Sequence, residues 1–389
     1  GNIVAGYAIG FGGVAEALCK MSFGNAFGVD VKVSEEDLFN YSYGSILVES
    51  EKELDFPAAE YLGTVTSGED GMLHINGTSI SIFELMDING TKFSKVYPDS
   101  CEPFHKAVMP SGMNGVKPFK AKKTDLKYKG EPVEKPVAYL PVFPGTNCDY
   151  DTAKAFRKAG AEVRMSVFCN LTPEDVFRSI AEMKKNISEC HILALCGGFS
   201  AGDEPDGSGK FIANVLNNKE IAAEIHALLD RGGLILGICN GFQALVKSGL
   251  LPYGRLGMVT KDSPTLFRND INRHISQMVT TRVATTNSPW LSGFTIGDLH
   301  TIAVSHGEGK FVVSEEFAKE LFAEGQVAFQ YVDPVTEEVT MESPYNPNGS
   351  YYAIEGIISR NGQILGKMGH TERYEENLFK NIEEELEQP

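Results

Sequence analysis

Leu234-Ile235-Leu236-Gly237-Ile238-Cys239-Asn240-Gly241-Phe242-Gln243-Ala244-Leu245 begins as an apolar run, passes through a Gly-x-Cys-x-Gly turn and continues into a helical pattern. A short apolar run ending at glycine reads as a buried strand. A strand feeding a helix through a turn that carries a nucleophile is the nucleophile-elbow pattern, here with Cys in place of Ser. The flanking glycines let the chain turn sharply enough to hold Cys239 in a strained conformation at the sheet edge, where its thiol is expected to be exposed. The helix N-terminus beneath it favours the thiolate relative to a free cysteine of pKa about 8.5. A buried structural cysteine in a glycine-rich turn would give the same letters, so the surrounding sequence has to discriminate.

Upstream of the elbow, short apolar runs alternate with helical spacing. Val137 to Phe143, Glu162 to Phe168, His191 to Cys196 and Leu234 to Cys239 read as buried strands. Asp149 to Ala159, Thr172 to Lys185 and Lys210 to Asp230 read as helices, and Thr172-Pro173-Glu174-Asp175 is an N-cap followed by proline and acids in the first turn. The order β-α-β-α-β-α-β implies right-handed crossovers and an α/β, doubly wound, mainly parallel sheet covered on both faces. Ligands of such sheets sit at the carboxyl ends of the strands.

A thiolate that attacks an amide needs a proton donor for the leaving nitrogen, usually a histidine oriented by a third group. Of eight histidines, His370 lies in Gly369-His370-Thr371-Glu372, where an extended segment would put residues i and i+2 on one side and bring Glu372 to the imidazole. The third part is Cys196-Gly197-Gly198-Phe199-Ser200-Ala201-Gly202-Asp203, directly after a strand. Its glycines let backbone N–H groups approach a tetrahedral oxyanion, and Asn240, the residue after the nucleophile, supplies a second donor.

The rest of the chain sets the frame. At 389 residues two domains are expected. Residues 1–98 open with Gly6, Gly10, Gly12 and Gly13 before Val14, Ala17, Leu18 and Met21, which share one helical face. Glycines before a helix N-terminus could cradle a phosphate, but a lone Gly-Phe-Gly-Gly is a weak signal and a tight turn is the preferred reading. Strands and hairpins follow around Tyr43 to Glu49 and Gly68 to Gly77, making a smaller α+β domain. Residues 99–134 lose periodicity and gather proline, glycine and lysine, so they are expected to be an exposed linker. Residues 135–389 form the second domain. The first residue is Gly and not Met, which points to a piece of a longer protein.

With 35 basic and 52 acidic residues the formal net charge is −17, against a nucleic-acid partner and in favour of a small-molecule substrate. No apolar run approaches the roughly 20 residues that a membrane span requires. The cysteines form no C-x-x-C pair, so neither a metal site nor a disulfide framework is indicated and a reducing cytoplasm is the expected setting.

The Gly237-Ile238-Cys239-Asn240-Gly241-Phe242-Gln243 elbow, the Gly-Gly turn and the His-x-Glu pair together resemble the class I, or triad, glutamine amidotransferases, whose domain is flavodoxin-like. More narrowly, Val142-Phe143-Pro144-Gly145-Thr146-Asn147-Cys148-Asp149, Gly197 to Asp203, Ser305-His306-Gly307-Glu308-Gly309 and Tyr345-Asn346-Pro347-Asn348-Gly349-Ser350 resemble the glutaminase domains of the large phosphoribosylformylglycinamidine synthases. The match spans roughly residues 135 to 380. Residues 1–98 resemble the end of the synthetase region, with its aminoimidazole-ribotide-synthetase-like C-terminal fold. The resemblance implies that Cys239 forms a glutamyl thioester, His370 shuttles the proton and Glu372 orients His370. It also implies that Gly198 and Asn240 form the oxyanion hole and that Gln243 helps to hold glutamine. Thr371 and Cys196 stand where prolines are common in that family, so the backbone is less fixed at both places. His306 and Glu308 receive no definite role.

The implied activity is hydrolysis of glutamine to glutamate and ammonia without a cofactor, the ammonia serving a synthetase that uses ATP and Mg and belongs to the same polypeptide in the full-length protein. Two alternatives stay open. One is a cysteine peptidase or related hydrolase on the same fold, and the other is an inactive interaction module.

Overall fold

A computed structural model describes residues 3–67, 70–98, 101, 132–200, 208–375 and 378–379. The chain divides into two compact units, Gly1–Asp99 and Ser100–Pro389. Of the stretch 99–134, only Cys101 and residues 132–134 are described, so the expectation of a linker lies largely outside the described residues.

The first unit runs β1 (Ile3–Ala8), α1 (Gly13–Phe23), β2 (Gly28–Val31), α2 (Glu35–Phe39), β3 (Ile46–Ser50), β4 (Gly63–Thr66), β5 (Met72–Ile75), β6 (Thr78–Ser81) and α3 (Ile82–Thr91). β1 pairs with β3, and the other strands form a sheet in the order β4-β2-β5-β6. α1 buries Val14, Ala17 and Leu18, and Val14 and Leu18 pack with Val29, Val31, Leu73 and Ile82 in one core. At its start the Glu16 carboxylate accepts the Gly12 N–H at 3.0 Å. The glycine-rich segment is thus a turn closed by its own helix.

The second unit begins with β7 (Val137–Val142), α4 (Asp149–Lys158), β8 (Glu162–Val167), α5 (Pro173–Glu189) and β9 (Ile192–Leu195). It continues with α6 (Lys210–Leu216), α7 (Lys219–Asp230), β10 (Leu234–Ile238), α8 (Asn240–Ser248), α9 (Leu250–Tyr253), β11 (Thr265–Phe267) and β12 (Ile275–Val283). β13 (Leu299–His306), β14 (Lys310–Val312), α10 (Glu315–Ala323), β15 (Val327–Val332), β16 (Ile354–Ile358) and β17 (Ile364–Lys367) complete it. A nine-stranded sheet has the order β13-β12-β15-β16-β17-β10-β9-β7-β8. Its half from β17 to β8 is parallel, and β16, β15, β12 and β13 extend it by antiparallel pairing.

Alternate side chains of β7 serve the two faces, as strand geometry requires. Tyr139 packs with Met183 and Ile187 of α5 in the main core, while Ala138 and Leu140 pack with Ala153 of α4 in another. Fully enclosed residues such as Leu193 and Ile235 each stabilise the fold by about 1.5–3 kcal/mol. The Thr172 hydroxyl caps α5 by accepting the Asp175 N–H at 3.1 Å, with Pro173 at the first position. The single helix expected over Lys210 to Asp230 is broken at Asn217-Asn218, because the Asn218 side chain accepts from Glu220 and Ile221 N–H and starts a second helix. Such local bonding is why asparagine favours caps over helix interiors.

The direction of travel reverses at β7, with β8 on one side of it and β9, β10 and β17 following on the other. Ligand crevices form at such a switch, outside the carboxyl ends of the strands. The ends of β7, β9, β10 and β17 carry Cys148, Gly197, Cys239 and His370 in their following segments.

Candidate active site

Cys239 sits between β10 and α8 with φ 52° and ψ −105°. Such left-handed backbone is rare outside glycine and costs on the order of 1–3 kcal/mol. Both ends of the turn hold it there: the Cys239 N–H donates to the Lys367 carbonyl at 2.8 Å, and its carbonyl accepts the Gln243 N–H at 3.0 Å. The flanking glycines supply clearance. A Cβ on Gly241 would lie 2.0 Å from the Leu195 carbonyl oxygen, and one on Gly237 would lie 2.8 Å from the Gly241 backbone.

The thiol is not exposed as the elbow pattern alone implied. Cys239 is 5% accessible, and its sulfur donates to the Ser305 carbonyl at 3.7 Å. The segment after β13 and the turn after β9 cover it. It lies instead in a cavity of about 130 Å³ lined also by Gly198, Phe199, Gln243, Arg273, His306 and Glu308.

His370 and Glu372 meet at this site. The imidazole Nδ1 and the Glu372 carboxylate are 2.6 Å apart, and both side chains are buried. The contact is made by a tight turn over Thr371–Arg373 and not by an extended segment. With Nδ1 engaged, Nε2 has no hydrogen-bond partner among the described residues. Burial disfavours the imidazolium, yet the adjoining Cys239 sulfur, then Cys148 and Glu372, push its pKa well above the usual histidine range. The ring thus favours its protonated form beside the Cys239 sulfur.

Gly197 occupies the space between these groups. A Cβ there would lie 2.8 Å from His370 Cε1, 3.1 Å from the Cys148 sulfur and 3.4 Å from Cys239 Cβ. Gly198 has φ 145° and its missing Cβ would lie 2.5 Å from the Gly145 carbonyl oxygen, so the position admits no L side chain without strain. The Gly197 carbonyl accepts the Asn147 and Cys148 N–H groups, and the Phe199 N–H donates to Gly145, locking the turn to the loop after β7. The Asn240 side chain adds another tie by accepting the Ser200 N–H at 3.2 Å.

Gln243 lines the cavity, but its amide is already engaged. It donates to the Glu308 carbonyl and accepts from the Asn240 side chain, joining the elbow helix to the loop after β13. Sequence reasoning left that loop without a role. His306 is fully buried, with Asn269 Oδ1 3.1 Å from its Nδ1. Because the Asn269 amide nitrogen donates to the Arg273 and His306 carbonyls, its oxygen is the acceptor and the His306 proton belongs on Nδ1. Burial, then the nearby His370 and His274, push the His306 pKa down to about 3, so this cavity-lining ring is neutral.

Cys148 was also assigned no role from sequence, although it lies within one of the quoted motifs. Its sulfur lies 3.8 Å from His370 Nδ1 and accepts from the Arg373 guanidinium at 3.1 Å. Donor atoms of Cys148, His370 and Glu372 all lie within 4.8 Å of one another. His370 Nδ1 and the Glu372 carboxylate bond to each other and a guanidinium sits on the sulfur, so the three groups form a hydrogen-bonded row.

Residues 135–389 match the family model described as the CobB/CobQ-like glutamine amidotransferase domain. The chain belongs to this family. Among curated relatives of this amidotransferase, phosphoribosylformylglycinamidine synthase subunit PurQ of Methanococcus maripaludis is 35% identical over 229 residues, covering 59% of this chain and 80% of the relative. The subunit of the same name from Roseobacter denitrificans is 34% identical over 236 residues, covering 61% and 88%. Among solved structures, PurLQS from Thermotoga maritima shares 28% identity over 61% of this chain and 89% of that chain, with a TM-score of 0.44. Among the described residues, no helix of this amidotransferase is long and apolar enough to cross a membrane.

Proposed function

We propose that this chain hydrolyses glutamine through a Cys239 thioester and supplies the ammonia for ATP-dependent conversion of formylglycinamide ribonucleotide to formylglycinamidine ribonucleotide. The observation that carries the reading is Cys239, held at φ 52° in a strand-to-helix elbow, beside a His370 ring fixed by Glu372. The names of the relatives, subunits of phosphoribosylformylglycinamidine synthase, support the pathway assignment. Cys239 sulfur attacks the carboxamide carbon, and the Gly198 and Asn240 N–H groups receive the oxyanion. His370 then gives its proton to the departing nitrogen, ammonia leaves and the glutamyl thioester remains. Water attacks the thioester, with His370 taking its proton, and glutamate and the thiol are regenerated. Glu372 orients the ring and stabilises the imidazolium. Gln243 frames the substrate cavity and helps to hold glutamine. No cofactor takes part in these steps; ATP and Mg belong to the synthetase chemistry.

In this reading the chain is the C-terminal part of a large synthase, residues 1–98 closing its synthetase region, and the partner is the remaining synthetase in a soluble, cytoplasmic enzyme. An amidotransferase without an acceptor would waste glutamine, so the isolated chain is expected to hydrolyse it slowly. If its competent arrangement is populated at about 1%, apparent affinity for a ligand that selects it falls about a hundredfold. Adding the remaining synthetase with its nucleotide and ribonucleotide should raise the rate, and an already maximal rate in the chain alone refutes this coupling.

The direct test of the chemistry is covalent. A diazo-ketone glutamine analogue is expected to attach to Cys239, as read by peptide mass spectrometry, and Cys239→Ala or Cys239→Ser should abolish labelling and hydrolysis without unfolding the chain. Labelling at Cys148, Cys169 or Cys196 instead sinks the assignment. Peptide cleavage without glutaminase activity would favour the peptidase alternative.

A further inference from the structure

Glu355 and Lys367 stand on the adjacent antiparallel strands β16 and β17 and are almost wholly enclosed, at 1% and 3% exposure. A buried acid and a buried base are costly unless each is compensated. One Glu355 carboxylate oxygen accepts the backbone N–H of Gly369, the residue before His370, at 2.6 Å. The other has no hydrogen-bond partner among the described residues. Lys367 places its ammonium 4.5 Å from the centre of the Phe329 ring, while its carbonyl holds the Cys239 N–H. Burial pushes the Glu355 carboxyl up and the Lys367 ammonium down, and each charge opposes that drift in the other.

We infer that Glu355, with Lys367 as its counter-charge, is a positioning residue that clamps the Gly369 amide and so fixes where His370 stands relative to Cys239. The inference rests on the proposed glutaminase roles of those two residues. The segment needs such a clamp. Thr371 offers no proline ring to fix the backbone after His370, and Gly369 has no side chain to pack, since a Cβ there would lie 1.9 Å from Ile302 Cδ1. What holds it is bonding to its N–H groups: Gly369 to Glu355, and His370 to the Ala303 carbonyl at 2.8 Å. A misplacement of about 1 Å at a catalytic group can cost on the order of a hundredfold in rate.

Alkylation of Cys239 by a haloacetamide tests this. It requires the thiolate but no glutamine, so the clamp and the glutaminase reading can fail separately. Glu355→Ala with Lys367→Met removes both charges together and leaves no uncompensated buried ion. This pair is expected to unfold cooperatively, to alkylate roughly tenfold more slowly at pH 7, and to show the acid limb of its pH profile moved upward. The shift arises because the imidazolium no longer adjoins the sulfur. Cys148, Glu372, Arg373 and His306, the other titratable or charged groups around His370, are unchanged in every variant. Glu355→Gln with Lys367→Met restores the acceptor without the charge and is expected to recover both rate and profile. Wild-type alkylation by the alanine pair overturns the inference, as does a glutamine pair as slow as the alanine pair. Should the alanine pair fail to fold, Glu355→Asp alone withdraws the oxygen by one methylene and is expected to slow alkylation similarly, whereas wild-type behaviour there also overturns the clamp.

Discussion

At the residue scale, charge and backbone strain converge on a few side chains that the sequence already singled out. Glu372 accepts from a histidine whose proton is stabilised by its neighbours. Glu372→Gln is therefore expected to keep the fold but to lower glutamine turnover, by up to roughly 10⁴-fold as in related triads. His74 serves as a control: it lies on a hairpin of the other unit and bonds to Asp70 and Ser79. Equal losses in steady-state turnover at both positions would mean that stability and not chemistry is being measured. Gly197→Ala is a sterically defined counterpart. Its methyl would press on His370 and Cys148, so slower labelling of Cys239 by the glutamine analogue is expected, with thermal unfolding little changed. Labelling at the wild-type rate would show that the three groups can move apart freely. Cys239, His370 and Glu372 were legible because each carries a local pattern. Cys148, Glu355 and Lys367 were not, since Cys148 meets His370 from a segment far away in the chain and the Glu355 bond to Gly369 depends on how β16 pairs with β17.

At the element scale, the alternation of apolar runs and helical spacing from Val137 to Leu245 was enough to mark four strands of the parallel half, β7, β8, β9 and β10, and to point to their carboxyl ends, but not to give their order in the sheet. The antiparallel extension was less legible. Its strands mix polar and apolar residues, as in β12, Ile275–Val283, and β13 alternates in burial along its length. Nor could local sequence show that the loop after β13 roofs the elbow. That loop is held by Asn269, whose amide donates to the Arg273 and His306 carbonyls and accepts from the Gly309 N–H. Removing one member of a buried network strands its partners at about 1–3 kcal/mol each. Asn269→Ala is expected to lower stability by about 2–4 kcal/mol on that basis and to weaken capture of the glutamine analogue more than it slows the bound reaction. A denaturation curve and the concentration dependence of labelling separate these effects. Unaltered capture would place the Ser305–Gly309 segment outside the substrate-binding wall.

For the whole molecule, the two buried histidines of the site give stability opposite dependences on pH. His370 has its pKa raised in the fold, so its contribution is complete below the unfolded value of 6.5 and is lost as pH rises through the higher native value. His306 is depressed from 6.5 to about 3, so its contribution is present above 6.5 and is lost as pH falls toward 3, because the unfolded chain gains the proton first. Between pH 6.5 and 5 most carboxylates stay ionised, so the many acidic groups of this chain intrude little. His306 alone should then lower stability by about 1.5–2 kcal/mol across that interval, which corresponds to several degrees in melting temperature. His306→Gln is expected to melt lower at pH 7.5, having lost the ring contacts, but to fall less between pH 6.5 and 5. Parallel melting curves for the two proteins over that range would show that His306 takes up its proton in the folded state as readily as in the unfolded one, and would remove the case for a neutral ring in the substrate cavity.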